Sequence, residues 1–221
     1  MRKKRLDTLL IERGFAQDAH DAFLKVTEGR VFIGKQKAVT PAQIVSSDAL
    51  ISVKEPEKFV GRGAIKLEAA LKVFGVDLRG KICADIGAAT GGFTQVLLEL
   101  GAKKVYAVDT ARGKLAFSLR KDPRVIVMER TDARDIKKLG DPIDLIVIDV
   151  SLLSLRNMLP YVKHILKKDG EVIALFKPQY EARNPAMLTH GVILEKEVRE
   201  KLLDDFLLWL TTSDWTLTGR A

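Results

Sequence analysis

Residues 81–95 read KICADIGAATGGFTQ, and the order of residue types in this stretch decides the fold class. Ile82, Cys83 and Ala84 form an apolar strand, and Asp85 stands at its end. Gly87, Gly91 and Gly92 turn the chain, and Phe93, Thr94, Gln95 and Val96 open a helix. Glycine belongs where the backbone must take positive φ or let a ligand approach closely. The helix start beyond the turn offers unbonded N–H groups and a partial positive charge. An acidic residue ahead of it suits a ligand amino group or hydroxyls. The spacing Asp-x-Gly-x-x-x-Gly-Gly departs from the Gly-x-Gly-x-x-Gly of a dinucleotide fold. It points to an S-adenosylmethionine pocket at Asp85, Gly87, Gly91, Gly92 and Phe93. The plainer alternative is a glycine-rich strand–helix turn that holds no ligand.

Outward from this stretch, apolar strands alternate with amphipathic helices. Strands are predicted at 81–86, 104–109, 125–128, 145–149 and 171–176, and helices at 64–74, 94–100, 113–120, 155–166 and 196–209. That alternation makes an α/β fold, a doubly wound, Rossmann-like parallel sheet. Ligands of such sheets sit beyond the carboxyl ends of the strands. Asp85, Asp109, Asp149 and Lys177 all fall at those ends. Asp109 ends the second strand, where a carboxylate accepts hydrogen bonds from ribose hydroxyls; its alternative is a cap for the turn that follows. Asp132 follows the third strand and suits an adenine amino group. Asp149 ends the strongly apolar run LIVIDV, where a carboxylate without a partner is costly to bury.

Lys177 follows an equally apolar strand and is held by Pro178, whose φ is fixed. Lys66 lies near the start of the helix at 64–74. Two lysines and an aspartate at one pocket form a proton-transfer arrangement. An amine serves as a base only when burial or a second cation brings its pKa down from about 10.4; a neighbouring carboxylate works the other way. Taken singly, Lys66 reads equally as a surface helix lysine and Lys177 as a snorkelling one.

The first 53 residues read as a separate small α+β module. Leu6, Leu9 and Leu10 share a helical face closed by Gly14, and a second short helix at 19–28 ends at Gly29. A hairpin at 30–39 and a strand at 50–53 follow. This order, with RLDTLL and then EGRVFIGKQKAV, resembles the RNA-binding module named after ribosomal protein S-four. The resemblance implies an RNA grip by Arg2, Lys3, Lys4, Arg5, Arg13, Lys25, Arg30, Lys35 and Lys37. That family usually starts its second helix with Ser-Arg, whereas this chain has Asp18-Ala19, and Asp18 and Asp21 weaken a phosphate grip there. The alternative is a solvated basic face. Residues 54–63, KEPEKFVGRG, read as a linker, so the second domain runs over 64–221.

The bulk properties agree with this division. The 221 residues carry a net charge of +8, which favours a polyanionic partner. One cysteine allows no intrachain disulfide, and Cys83 fits a buried apolar role. No signal peptide or run of about 18 apolar residues is present, so a cytoplasmic protein without membrane contact is expected. His20, His164 and His190 lack ligand spacing, and no metal is expected. A monomer is the expected state.

Four segments carry a further resemblance: GRGAIKLEAAL, DIGAATGGFTQVLLELGAKKVYAVD, VIDVSLLSL and LFKPQYEARN…HGVI. They resemble the TlyA group, ribosomal RNA 2′-O-methyltransferases sometimes called haemolysins, whose catalytic domain is of the FtsJ type. The resemblance implies S-adenosylmethionine as cofactor and ribosomal RNA or ribosomal subunits as partner, with cytidines as targets in the well-known members. It maps Lys66, Asp149 and Lys177 onto three members of a Lys-Asp-Lys-Glu catalytic set. Cofactor contacts map to Asp85, Gly87, Gly91, Phe93, Asp109 and Asp132. The fourth catalytic member, a glutamate in a closing strand, has no match; Glu181 and Glu195 lie in other contexts. The chain is expected to stop at Ala221 within a penultimate strand at 215–217, without that closing strand. A non-catalytic rRNA-binding or assembly protein is the alternative function. A membrane-lytic haemolysin fits less well, because the most apolar stretches read as sheet strands. The glycine spacing disfavours a nicotinamide-dependent dehydrogenase.

Overall fold

A computed structural model describes residues 3–55, 58–61, 63–182, 184 and 187–221, so Arg2 lies outside the described residues. The chain divides into two compact units, Met1–Lys58 and Phe59–Ala221.

The first unit runs β1 (Lys3–Arg5), α1 (Leu6–Glu12), α2 (Ala19–Thr27), β2 (Val31–Ile33), β3 (Gln36–Lys37), β4 (Ile44–Ser46) and β5 (Ile51–Val53). Its core gathers Leu6, Leu9 and Leu10 of α1, Ala22 and Val26 of α2, and Val31 of β2. Asp18 caps α2 by accepting the Asp21 N–H at 2.8 Å, which gives the acidic start of this helix a structural role. The sheet order is β3-β2-β5, with a separate antiparallel pair β1-β4. That pair is absent from the sequence reading, because three-residue strands such as KKR show no usable alternation.

The second unit runs α3 (Gly63–Phe74), β6 (Ile82–Ile86), α4 (Gly92–Glu99), β7 (Lys104–Asp109), α5 (Phe117–Lys121), β8 (Val125–Glu129), β9 (Ile143–Ile148), α6 (Leu155–Val162), β10 (Leu166–Ala174), α7 (Pro178–Glu181) and α8 (Lys196–Thr211). The five strands are parallel, in the order β10-β9-β6-β7-β8. Successive side chains of β6 and β9 enter opposite layers. Cys83, Leu145 and Val147 pack with Leu67, Leu71 and Leu97. Ala84, Ile86, Ile146 and Ile148 pack with Met158, Leu159 and Phe206. Each fully buried Leu or Ile stabilises the sheet by about 2 kcal/mol. The chain order reverses between β6 and β9, so the crevice of the sheet opens at their carboxyl ends.

Four expectations need correction. Residues 54–63 are not all linker: Phe59 is buried and Val60 packs in the core of the second unit, and the Val60 N–H donates to Gln95 Oε1 at 2.8 Å. The helix expected at 113–120 is only Phe117–Lys121, because Gly113, at φ +70°, belongs to a turn whose N–H donates to Glu129 Oε1. The helix expected at 155–166 stops at Val162; Pro160 removes a donor there and a 3-10 turn, Lys163–Ile165, follows. Residues 215–217 form no strand, and Trp215 packs against the α6 and α8 layer.

Candidate active site

The crevice is lined by Gly61, Gly63, Gly87, Ala88, Ala89, Thr90, Gly92, Phe93 and Asp149. Its floor is backbone. The Gly87 and Ala88 N–H groups both donate to Val108 O, at 2.9 and 3.0 Å, and fold the turn back over β7. Gly87 sits at φ +88°, and a Cβ there would lie 2.7 Å from the Asp149 carbonyl oxygen. A Cβ at Gly92 would lie 3.0 Å from Gly61 O, so α3 and α4 meet backbone to backbone. Gly91, also left-handed, faces elsewhere: its Cβ would overlap Leu119 Cδ1 at 2.2 Å. Gly91 therefore seats the loop on α5 rather than lining the crevice.

Asp85 lies beneath the turn, fully buried, with Oδ2 accepting from Thr94 Oγ1 at 2.6 Å. Burial pushes its carboxyl up to about 7, opposed by the Thr94 hydrogen bonds and reinforced by Asp149 and Asp109. Asp109 holds the turn from the next strand, accepting the Ala89 N–H at 2.8 Å and the Ala111 N–H at 2.7 Å. A carboxylate has about four acceptor positions, so a hydroxyl can still be bound there. Asp132 caps a short 3-10 turn, and the Arg134 guanidinium 2.6 Å away holds its carboxyl below the usual range. Cys83 is buried, and burial pushes its thiol up to about 12, as an inert core residue requires.

The charged pair stands at the ends of β9 and β10. The Lys177 ammonium contacts Asp149 Oδ1, with both side chains about four-fifths buried. Lys177 also donates to Val150 O at 2.9 Å. A Cβ at Gly63, the first residue of α3, would lie 3.5 Å from Asp149 Oδ2. Lys66 is exposed one turn along α3 from Gly63, and helical side chains lean toward the N-terminus. Asp149 and Gly63 of α3 line the crevice and Lys177 meets Asp149, whereas Lys66 and Lys177 are not among the lining residues.

The FtsJ-like methyltransferase family model matches residues 59–219. The chain belongs to the FtsJ-like methyltransferase family. It falls in that family's TlyA group: it is 41% identical over 204 residues, 90% of this chain and 76% of the relative, to the 16S/23S rRNA (cytidine-2′-O)-methyltransferase TlyA of Mycobacterium tuberculosis. Hemolysin A of Brachyspira hyodysenteriae is 37% identical over 91% of this chain and 85% of its own length. A solved structure from Streptococcus thermophilus, also described as a hemolysin, superposes with a TM-score of 0.69 at 34% identity. It covers 99% of this chain and 82% of that one.

In this FtsJ-like methyltransferase, sequence reasoning missed Gly61 and Gly63, which it left in a linker, although two glycines just before a helix signal a close approach. It set Glu181 aside, and in the structure Glu181 is a buried carboxylate that accepts from Ser154 and Leu155. In the first unit, several basic candidates are engaged internally. Lys4 pairs with Glu12, Arg5 with Asp7, Lys25 with Asp21 and Arg30 with Glu28. Arg13 donates to the Ala49 and Ser47 carbonyls. Lys3, Lys35 and Lys37 are exposed. Among the described residues no helix is long and apolar enough to cross a membrane.

Proposed function

We propose that this chain is an S-adenosylmethionine-dependent methyltransferase acting on the 2′-hydroxyl of a ribose, a cytidine, in ribosomal RNA. The observation that carries the reading is the Asp149–Lys177 pair on the wall of a glycine-lined crevice at the sheet's switch point. The crevice suits the donor. Gly87 and Gly92 leave backbone exposed where a side chain would block approach, and Asp109 keeps acceptor capacity for ribose hydroxyls. Phe93 supplies an apolar wall. When bound, S-adenosylmethionine supplies an electrophilic methyl group on a sulfonium. Asp85 supports the turn from below, and Asp132 reaches an adenine amino group only by sharing its carboxylate with Arg134.

In the transfer, a carbon–oxygen bond would form at the ribose 2′-oxygen as the donor's methyl–sulfur bond breaks and leaves a neutral thioether, and the hydroxyl proton would pass to Lys177 once its ammonium has given up a proton to become the neutral amine. Asp149 holds that amine in place, and Lys66 contributes positive charge on the substrate side of α3. Because the methyl group arrives activated, most of the acceleration comes from alignment. The first unit grips RNA through Lys3, Lys35 and Lys37, helped by those basic residues whose ion pairs open on binding; exposed pairs cost only about 0–1 kcal/mol to exchange. The domain roles are an RNA-binding module followed by the methyltransferase.

The test is incubation of the purified protein with labelled S-adenosylmethionine and unmethylated ribosomal subunits. Label is expected as 2′-O-methylcytidine in digested rRNA. Binding of both ligands with no label transferred would instead favour a non-catalytic rRNA-binding protein.

A further inference from the structure

We infer that Glu181 is a positioning residue, a clamp that sets the Lys177 amine against Asp149; the inference rests on the reading of that pair as the methyl-transfer device. Asp149 and Lys177 both lie just past the sheet ladder. The last backbone–backbone bond between their two segments is Leu175 N–H to Ile148 O at 2.9 Å, and past it the Lys177 ammonium itself donates to Val150 O at 2.9 Å and Ser151 Oγ at 3.4 Å. Beyond that backbone bond, Asp149 begins the loop 149–154 that leads into α6, and Lys177 is the N-cap of α7. Two loops leaving a sheet edge diverge unless something ties them.

Glu181, the last residue of α7, supplies a tie that does not depend on the Lys177 side chain itself. Its side chain is 2% exposed. Oε2 accepts from Ser154 Oγ at 2.6 Å and Oε1 from the Leu155 N–H at 2.7 Å. The Arg156 guanidinium lies 3.8 Å away and stacks over Phe206 and Trp209 of α8. One carboxylate thereby joins the turn bearing Lys177 to the loop bearing Asp149 and the start of α6, and Arg156 of α6 carries the contacts on to α8. Capping α6 is not reason enough for it, since Ser154 already caps that helix through the Arg156 N–H. Burying a carboxylate is costly unless it is fully hydrogen-bonded, and a neutral residue would close the same space more cheaply. What the carboxylate adds is a fixed distance between two loops, and a displacement of about 1 Å in such a constellation costs about 100-fold in rate.

The experiment uses Glu181→Gln and, as the milder change, Ser154→Ala in the full chain. Transfer of labelled methyl from S-adenosylmethionine to ribosomal subunits gives kcat and the donor KM. Separately, with no donor or RNA present, the rate of amine acylation at Lys177 is followed by peptide mass spectrometry against exposed Lys196. Loss of the clamp is expected to lower kcat at least tenfold in Glu181→Gln, with donor KM within twofold, and severalfold in Ser154→Ala. Acylation of Lys177 is expected to rise at least threefold in both, while Lys196 is unchanged. Unaltered Lys177 acylation in both variants overturns the clamp, as does an unaltered kcat beside an active wild type. A wild type that transfers no methyl to RNA, with Lys177 acylation still raised in the variants, overturns the catalytic reading and leaves the clamp standing.

Discussion

The two halves of the crevice are made of different material. On the β6 side the wall is backbone: Gly87 and Gly92 present peptide groups, and the carboxylates of Asp85 and Asp109 brace the turn from beneath and beside. On the β9 and β10 side the wall is side chain: Asp149 and Lys177 meet across two loops held by Glu181. A backbone wall has fixed shape and no titratable surface, which suits holding a donor. A side-chain wall has charge and a movable proton, which suits chemistry but needs external bracing.

If this division is right, damage to one half spares the other. The largest effect is expected for Lys177→Ala, which should cut methyl transfer about a thousand-fold. Donor affinity by calorimetry should stay within a few-fold. Equal loss of both would break the contrast.

Next is Asp85→Asn, which probes the bracing under the donor half. The Asp85 carboxyl rises from 3.8 to about 7 on folding. Between those values the native protein holds a proton that the unfolded chain has released, so stability falls as pH rises through that window. Asn, neutral and still able to bond Thr94, should be more stable than the wild type by on the order of 4 kcal/mol above pH ~7, with the gap closing below pH ~4. Urea midpoints at the two ends of the window measure it, and a pH-independent difference would contradict the assignment.

Gly87→Ala strikes where the halves touch, because the new Cβ would press on the Asp149 carbonyl oxygen and φ is left-handed. A loss of about 2 kcal/mol in stability is expected, with donor affinity at least tenfold weaker. Titration calorimetry and thermal melting read the two effects, and unchanged affinity would place the donor elsewhere. The smallest effect is expected for Arg134→Ala. Freeing Asp132 from its guanidinium should change donor affinity by no more than about threefold, since exposed pairs contribute about 0–1 kcal/mol. A tenfold loss would put Arg134 itself in the site.

The glycine turn after β6 was legible because local rules write it. A strand that ends in Asp85 and turns at Gly87 must fold much as it does, since only glycine takes φ +88° there without strain. The strand ends at Asp109, Asp149 and Lys177 were legible for a related reason: apolar runs of fixed length deliver their last polar residue to one edge of a parallel sheet. Glu181 was not legible, because its partners Ser154 and Leu155 lie 27 and 26 residues away in sequence. The Gly61–Gly92 approach was hidden likewise, since it joins the starts of two helices that no short window contains.

The sequence by itself determined the alternation of elements, the parallel sheet and the residue types at its carboxyl edge, because each depends on periodicity and backbone sterics within a few residues. Only the tertiary structure decided which glycines line the crevice, which carboxylates are already engaged, and that Asp149 and Lys177 touch. Those outcomes depend on strands and loops far apart in the chain coming to rest side by side, where desolvation makes the unpaired alternative costly.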